Sequence, residues 1–218
     1  MTTAEGAIQF RYTLDPPGDA DLVDNVLFAQ MAAWRIILRQ LGLVGRDPKR
    51  YDGYAYGNLS VRDCTDARRF FVTASQTGGE PDFGPSHLVR IDRWDCQRFS
   101  VSATGSAPPS SESITHGMLY AADPAILWVM HVHSTAIWRA APRLGLPVTD
   151  QTVSYGSAAM ANAVAALLRQ HRQRPLAIAT LGHEDGVFAS GASASGTGAM
   201  LVQTLADALG DDRDQPRA

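Results

Sequence analysis

The sequence has few of the residues that build cysteine-rich, lysine-rich or strongly basic sites. Its two cysteines, Cys64 and Cys96, lack any paired Cys-x-x-Cys spacing, which excludes a disulfide framework and a cysteine-based zinc knuckle. Lys49 is the single lysine, and no run of basic residues is longer than two. With a formal net charge of −3, this composition argues against binding nucleic acid through a basic face.

Long apolar runs and targeting signals are also missing. No run approaches the ~18 apolar residues that cross a bilayer, and the first residues lack the basic and apolar regions of a signal peptide. We therefore expect a cytoplasmic protein with reduced cysteines that does not bind membranes. Because no repeat or linker divides the chain, we expect one domain over residues 21–210, between an N-terminal extension (1–20) and a polar tail (211–218).

The spacing of apolar residues predicts helices that alternate with short strands. A long amphipathic helix is expected from Leu22 to Leu41, capped by Asp19 or Asp21 and ended by Gly42. Later helices are expected over residues 112–122, 157–171 and 198–209, and strands over residues 57–62, 69–73, 88–91, 99–102, 125–133, 176–181 and 187–189. This order predicts an α/β fold of the α+β type, a single domain with a mainly antiparallel central sheet flanked by helices.

Two histidines give the strongest chemical signal in the sequence. His131 and His133 end the apolar strand that is predicted over residues 125–133. Residues two apart on a strand face the same side, so both imidazoles point at one place and suit a divalent transition metal. Standing alone, such a pair is more often two hydrogen-bonded histidines at a strand end.

A third histidine strengthens the metal interpretation. His183 directly follows the apolar strand predicted over residues 176–181, and its ring reaches the same rim if the two strands are neighbours. Three nitrogen ligands leave an open coordination position, as in catalytic zinc sites. A structural zinc site is the other possibility, but such sites usually have four protein ligands, often thiolates, and neither cysteine is near in sequence.

Three polar turns can bring backbone amides or hydroxyl groups close to a ligand. They are Gly57-Asn58, Thr77-Gly78 and Ser110-Ser111. Glu112 follows the last of them, in the first turn of a predicted helix. The amides at the helix start, with the two serine hydroxyls beside them, can hold an anionic substrate group. Taken singly, the two glycine turns are more often ordinary turns. Glu112 is at least equally well explained as a carboxylate that the helix dipole favours.

Taken in this order, the motifs resemble the class II aldolase/adducin family, of the fuculose-phosphate and ribulose-phosphate aldolase type. The resemblance covers roughly residues 22–209. Its segments are Gly57-Asn58-Leu59-Ser60, Thr77-Gly78, Ser110-Ser111-Glu112, His131-Val132-His133-Ser134, Tyr155-Gly156-Ser157 and Leu181-Gly182-His183. It implies a homotetramer whose active sites lie at subunit interfaces.

The resemblance also implies roles for individual residues. Zinc, or another divalent transition metal, is expected on His131, His133 and His183, with Glu112 as the acid/base. The anionic group of a small carbonyl or sugar-phosphate substrate is expected at Gly57, Asn58, Thr77, Gly78, Ser110 and Ser111. The implied reaction cleaves or forms a C–C bond through a metal-stabilised enediolate and needs no Schiff-base lysine.

Departures from the family pattern keep other functions open. Ala55 stands where those aldolases often have a hydroxyl, and His183 is followed by Glu184-Asp185-Gly186 rather than by glycine. The tyrosine that they present from a neighbouring subunit has no clear counterpart, and a carboxylate is as good a candidate ligand as a phosphate. A dehydratase, epimerase or decarboxylase with the same metal site is the nearest alternative. A non-catalytic adducin-like binding domain is less favoured, because the three histidines and Glu112 are all kept.

Overall fold

Ten strands and five helices make up the regular structure of residues 6–18 and 23–211, which are the residues that this computed structural model describes. The strands are β1 (Arg11–Asp15), β2 (Gly45–Arg46), β3 (Ala55–Tyr56), β4 (Asn58–Arg62), β5 (Phe70–Thr73), β6 (Leu88–Asp95), β7 (Ser100–Gly105), β8 (Trp128–His133), β9 (Leu176–Ala179) and β10 (Gly186–Gly191). The helices are α1 (Asn25–Gln40), α2 (Ser113–Ala122), α3 (Thr135–Ala140), α4 (Ala158–Gln170) and α5 (Ala194–Asp211). Short 3-10 helices cover Tyr51–Gly53 and Pro85–His87.

Eight of the strands form one sheet in the order β1-β7-β6-β5-β4-β8-β10-β9, and β2 and β3 form a separate two-stranded ladder. Neighbouring strands of the large sheet run antiparallel, except that β1 and β7 are parallel. Strand β8 therefore lies inside the sheet, between β4 and β10, with backbone partners on both sides. This position fixes the end of β8 more firmly than an edge position would.

Helices cover both faces of the sheet because its inner strands are apolar on both sides. Along β8, Trp128, Met130 and Val132 enter one apolar cluster, while Val129 enters the other. Helices α1, α3 and α5 contribute to the first cluster, and α2 and α4 contribute to the second. Among the described residues, no helix combines the length and the apolar character that a membrane crossing requires.

The predicted fold class is confirmed, but several element ends differ from prediction. Helix α1 begins at Asn25, and the Asp24 carboxylate caps it by accepting from the amides of Val26 and Leu27 at 2.9 and 3.2 Å. The predicted caps Asp19 and Asp21 lie outside the described residues, as does the tail from residue 212 onward. Helix α2 starts at Ser113 rather than at Glu112, and β8 starts three residues later than expected because Ala125 belongs to a turn.

The apolar pattern does not reveal β1 or α3. Strand β1 is exposed over most of its length, so its five residues show no apolar alternation, and only pairing with β7 defines it. Helix α3 has six residues and follows His133 directly, with the Ser134 hydroxyl accepting from the Ile137 amide. The strand before His183 would bring its ring to the end of β8 if the two strands were neighbours, but β10 lies between β8 and β9.

Gly57 illustrates how tightly the start of β4 is packed. Its φ of +76° belongs to the left-handed region, and a Cβ placed there would lie 2.8 Å from Val44 Cγ2 and 3.1 Å from the carbonyl oxygens of His131 and Leu43. Gly42 has a similar φ of +68°, but a Cβ at that position has no heavy atom within 4 Å. Alanine substitutions at the two positions therefore distinguish the cost of the backbone conformation, which both share, from the cost of crowding, which applies only to Gly57.

We predict that Gly57→Ala lowers the free energy of unfolding by about 3 kcal/mol, because strain and overpacking add. Gly42→Ala should lower it by only about 1 kcal/mol, the cost of the backbone conformation alone. Urea denaturation followed by circular dichroism measures both values. Equal losses in the two variants would show that crowding around Gly57 does not contribute to stability.

Candidate metal centre and anion pocket

Strand β8 ends in two buried histidines on the side of the sheet that α2 and α4 cover. The Nε2 atoms of His131 and His133 are 3.1 Å apart, and the two side chains are at most 1% exposed. His131 Nδ1 lies 3.2 Å from the Val187 carbonyl oxygen, to which it can only donate. The lone pair of the neutral His131 ring is therefore on Nε2, which faces His133.

His183 reaches these rings through the turn between β9 and β10. The His183 amide donates to the Thr180 carbonyl at 2.9 Å, and the Gly186 amide donates back to the His183 carbonyl at 3.0 Å. Gly186 pairs directly with His133 across the β8–β10 ladder, so the turn lies over the end of β8. The ring centroid of His183 is 5.1 Å from that of His131 and 4.8 Å from that of His133.

The three imidazoles suit a divalent metal ion. One ring nitrogen from each histidine lies within 4.8 Å of the corresponding atoms of the other two. Burial, followed by the effect of nearby His183, lowers the pKa of both His131 and His133 well below the usual range, so both rings are neutral and can act as ligands. Tetrahedral ligands at about 2.0–2.1 Å from zinc are roughly 3.3–3.4 Å apart, close to the separation of the two Nε2 atoms. The donor set fits zinc or a similar ion.

Glu112 is a buried N-cap residue whose carboxylate does not cap its helix. It is 1% exposed, and its side chain makes no hydrogen bond to the first amides of α2. Oε2 instead accepts from the Thr115 hydroxyl at 2.7 Å, and Oε1 lies 4.0 Å from His183 Nδ1. The carboxylate is thus directed towards the histidine cluster, whereas helix capping would have turned it towards the backbone.

A small polar pocket opens next to Glu112, at the point where three loops meet. Five of the six residues that were predicted to bind an anion line it. They are Gly57, Asn58, Gly78, Ser110 and Ser111. Ala55, Ser75, Gln76 and, from the N-terminal segment, Gly6 complete most of the wall. The Asn58 side chain is buried, and its Oδ1 has no hydrogen-bond partner among the described residues.

Thr77 is the predicted residue that does not line this pocket. Its side chain is buried, and its hydroxyl donates to the Ala74 carbonyl at 2.7 Å. Its carbonyl accepts from the guanidinium of Arg35. Thr77 therefore closes the turn from which Gly78 reaches the pocket.

His116 lies behind the histidine cluster and is not part of it. Its Nδ1 is 2.6 Å from the Ser60 hydroxyl, which is also 2.7 Å from the Tyr120 hydroxyl. Its ring makes an edge contact with Phe188, with 5.7 Å between the ring centroids, and Phe188 in turn stacks on His131 at 4.2 Å. Burial lowers the pKa of His116 to about 3, so this ring is neutral in the folded protein at neutral pH.

Comparison with known protein families identifies the family of this chain. The family described as Class II Aldolase and Adducin N-terminal domain matches residues 47–203, well over half of the chain. This chain belongs to that family. Its match begins before the Gly57-Asn58 turn and extends past His183, so it includes both the histidine cluster and the pocket. A search of curated proteins finds no match.

Solved structures share the fold of this class II aldolase/adducin family member at low sequence identity. An L-fuculose 1-phosphate aldolase is 20% identical with a TM-score of 0.64, and the alignment covers 92% of this chain and 93% of the other. The L-fuculose-1-phosphate aldolase of Thermus thermophilus gives 20% identity, a TM-score of 0.64 and coverages of 88% and 98%. YgbL of Escherichia coli, provisionally described as an aldolase/epimerase/decarboxylase, is 17% identical with a TM-score of 0.65, and the alignment covers 88% of this chain and 92% of the other. At these identities the likeness establishes the architecture alone.

Tyr155 connects the histidine cluster with the pocket in this family member, a role that its sequence pattern does not predict. Its ring centroid lies 4.2 Å from that of His183, and its hydroxyl donates to Ser111 Oγ at 3.0 Å. The Gly6 amide donates to the same hydroxyl at 3.0 Å. The Tyr155-Gly156-Ser157 segment had marked this position, but spacing alone does not place the ring next to His183.

Tyr51 and Asp185 support the other side of the cluster and were also missed. The Tyr51 ring lies 4.8 Å from that of His133, and its hydroxyl donates to Asp185 Oδ2 at 2.7 Å. The Thr135 hydroxyl donates to the same oxygen at 2.8 Å. Tyr51 and Asp185 have positive φ angles of 51° and 60°. A sequence pattern gives little warning of such conformations in residues other than glycine.

We predict that His116 makes the protein less stable in mild acid. Its pKa in the folded protein is about 3, against an ordinary 6.5. The stability that the neutral ring confers is therefore fully present above pH 6.5 and is lost as the pH falls towards 3. Between pH 7 and 5, chelator-treated wild type should lose about 2 kcal/mol more stability than His116→Gln. His171→Gln, at an exposed position, is the control and should follow the wild type. Parallel curves for wild type and His116→Gln would contradict the prediction.

Proposed function

We propose that this chain is a metal-dependent lyase of the class II aldolase type. It cleaves or forms a C–C bond in a small hydroxy-ketone or sugar phosphate. The observation that supports this most directly is the convergence of three buried histidines beside the Glu112 carboxylate, with 4.0 Å between Glu112 Oε1 and His183 Nδ1. Membership of the family agrees with a lyase. We also propose that the enzyme acts in the cytoplasm, and that it is a homotetramer, as the family resemblance implies.

In this proposal His131, His133 and His183 hold zinc or another divalent transition metal. When bound, such an ion acts as a Lewis acid towards a carbonyl oxygen of the substrate. The chain prepares its ligands in two ways. The Val187 carbonyl fixes the His131 tautomer, and Phe188 and Tyr51 hold the His131 and His133 rings by stacking and edge contacts. Burial keeps bulk water away from all three rings.

Glu112 is the proposed acid/base, and Oε1 is the oxygen that exchanges the proton. The Thr115 hydroxyl holds Oε2 at 2.7 Å, so the carboxylate keeps the rotamer that directs Oε1 towards His183. A carboxylate in this position can take a proton from a substrate carbon or hydroxyl next to the carbonyl group, and return it. The backbone of Glu112 supports this role because its N-cap position anchors the residue to α2.

The pocket next to Glu112 is the proposed site for the anionic end of the substrate. Gly57, Asn58, Gly78, Ser110 and Ser111 surround it with amides and hydroxyls, which bind phosphate or carboxylate without a lysine. Thr77 supports the turn and is not a direct ligand in this proposal. Since Glu112 follows Ser111 in the chain, a substrate held by its anion would have its reacting carbons near Glu112 and the histidines.

Dehydration, epimerisation or decarboxylation is the second candidate. Each uses the same chemistry next to a carbonyl group, and two observations favour keeping it. Ala55 lines the pocket where the sugar-phosphate aldolases often have a hydroxyl, and YgbL, with the same fold, is provisionally described as an aldolase/epimerase/decarboxylase. Products of a screen with ketose phosphates and hydroxy acids would separate the candidates: aldehyde release supports the lyase, whereas water loss, inversion or carbon dioxide supports the alternative.

We predict one divalent metal per chain, bound by the three clustered histidines. His133→Ala should lower the affinity for Zn²⁺ by at least about tenfold, because a ligand is removed. Cobalt substitution should give the visible spectrum of a four-coordinate histidine site. His116→Gln, which changes a neighbouring buried histidine outside the cluster, should retain one metal per chain. A wild-type protein that binds no divalent metal after treatment with Zn²⁺ or Co²⁺ would falsify this assignment.

We predict that Glu112→Gln keeps the fold and the metal but slows proton transfer by ~10²–10⁴. Exchange of the carbon-bound hydrogens of dihydroxyacetone phosphate with deuterium oxide, followed by NMR, measures this step without the second substrate. Glu184→Gln is the matched control, since Glu184 is an exposed carboxylate next to His183. Exchange at the wild-type rate in Glu112→Gln would remove Glu112 from the mechanism.

A further inference from the structure

Helix α1 buries an arginine against the loop that supplies Gly78 to the pocket. Arg35 is 1% exposed, and its Nη2 donates to the carbonyl oxygens of Thr77, Gly78 and Glu80, the last two at 3.3 and 2.7 Å. One turn later, Arg39 Nη2 donates to the Gly79 carbonyl at 3.2 Å. Four consecutive carbonyls of the loop therefore point at two arginines of α1.

The direction of these carbonyls determines the direction of the amides. In a trans peptide the C=O and N–H bonds point to opposite sides. The Thr77 and Gly78 carbonyls face Arg35, so the N–H groups of Gly78 and Gly79 point away from it, and of these two residues Gly78 lines the pocket. Within the described residues, neither of these two amides donates a hydrogen bond. Two aligned amides of this kind form an anion-binding concavity.

Arg35 also gives the pocket a positive charge that its own wall lacks. The pocket-lining residues are neutral. No carboxylate of the described residues forms an ion pair with Arg35, whose guanidinium lies 4.8 Å from the Phe83 ring centroid. Burial, and then Arg39, lower the pKa of Arg35 to about 10, so it keeps its charge at neutral pH. The Arg35 guanidinium is thus a buried cation next to the loop, and among the described residues it donates hydrogen bonds only to backbone carbonyls. These carbonyls belong to the same peptide groups as the loop amides, so the charge polarises the amides.

We propose that Arg35 is the positioning residue of the anion site, and that it orients and polarises the Gly78 and Gly79 amides for a phosphate group. The inference rests on the proposed function, since it presumes that the pocket binds the substrate's anion. Phosphate is favoured over carboxylate because the Gly78 amide, the Ser110 and Ser111 hydroxyls and Asn58 approach the pocket from three separate segments, and a tetrahedral anion can accept from all of them. Arg39 assists through a single carbonyl and contributes less.

Inorganic phosphate is the probe, titrated into metal-loaded protein at constant ionic strength by calorimetry. Arg35→Met keeps the length and apolar part of the side chain and should weaken phosphate binding about tenfold or more, since charge-assisted hydrogen bonds are lost. Arg39→Met should weaken it only about threefold, in proportion to its single contact. Arg172→Met, at an exposed position, should bind phosphate like the wild type. Metal content should stay at one per chain in all three.

A spectroscopic signal separates positioning from simple support of the fold. In wild-type protein labelled with ¹⁵N-glycine, phosphate should shift the Gly78 and Gly79 amide resonances downfield. The shift should disappear in Arg35→Met and return in part in Arg35→Lys, which restores the charge with fewer contacts. Arg35→Lys and Arg39→Met also decide the question if Arg35→Met does not fold, because both keep a cation at or next to the loop.

Three results would overturn the inference. Phosphate affinity in Arg35→Met equal to that of the wild type, with one metal bound, would reject the role of Arg35 while the anion pocket stands. Phosphate binding by the wild type without a shift of either glycine amide would do the same. A wild-type protein that binds metal but no phosphate would reject both this inference and a phosphate site in the pocket, and would leave the metal centre untouched.

Discussion

The candidate site depends on the register between β8 and β10. Gly186 is paired with His133, and Phe188 is paired with His131. His133 therefore lies beside a residue without a side chain, and His131 lies beside an aromatic ring. A Cβ at position 186 would lie 2.8 Å from His183 Nδ1, which makes glycine a requirement for the approach of the third histidine. A slip of one residue would turn every side chain of β10 to the opposite face and separate the three rings.

Much of the site follows from strand periodicity, and that part could be predicted. Residues two apart share a face, so His131 and His133 had to converge once the strand was recognised. Glu112 could be located from the serine pair and the helix start, although its exact place, as an N-cap residue whose carboxylate turns away from the helix, depends on the hydrogen bond from Thr115. The fold class followed from the order of apolar segments because the inner strands are buried on both faces.

The remainder depends on contacts between distant residues and on backbone conformations that sequence patterns do not report. His183 could be linked to the pair on β8 only on the condition that its strand is a neighbour of β8, whereas it reaches the pair through the turn after β9, which lies one place further out. Thr77 belongs to the right loop but uses its hydroxyl within that loop. Arg35 occupies the buried stripe of an amphipathic helix, where an apolar residue is expected, and only the carbonyls of a loop more than forty residues away explain its burial.

The sheet and the loops contribute differently to the site. The proposed metal ligands come from β8 and the β9–β10 turn, which antiparallel pairing of β8, β10 and β9 holds together. The pocket, in contrast, is assembled from Gly6, the start of β4, the loop after β5 and the segment before α2. Under the proposed function, substitutions in the loops, one segment at a time, could change which anionic substrate is accepted. The metal ligands would be inherited unchanged with the ladder, whereas Glu112 shares its segment with the pocket serines and has to be kept when that segment changes.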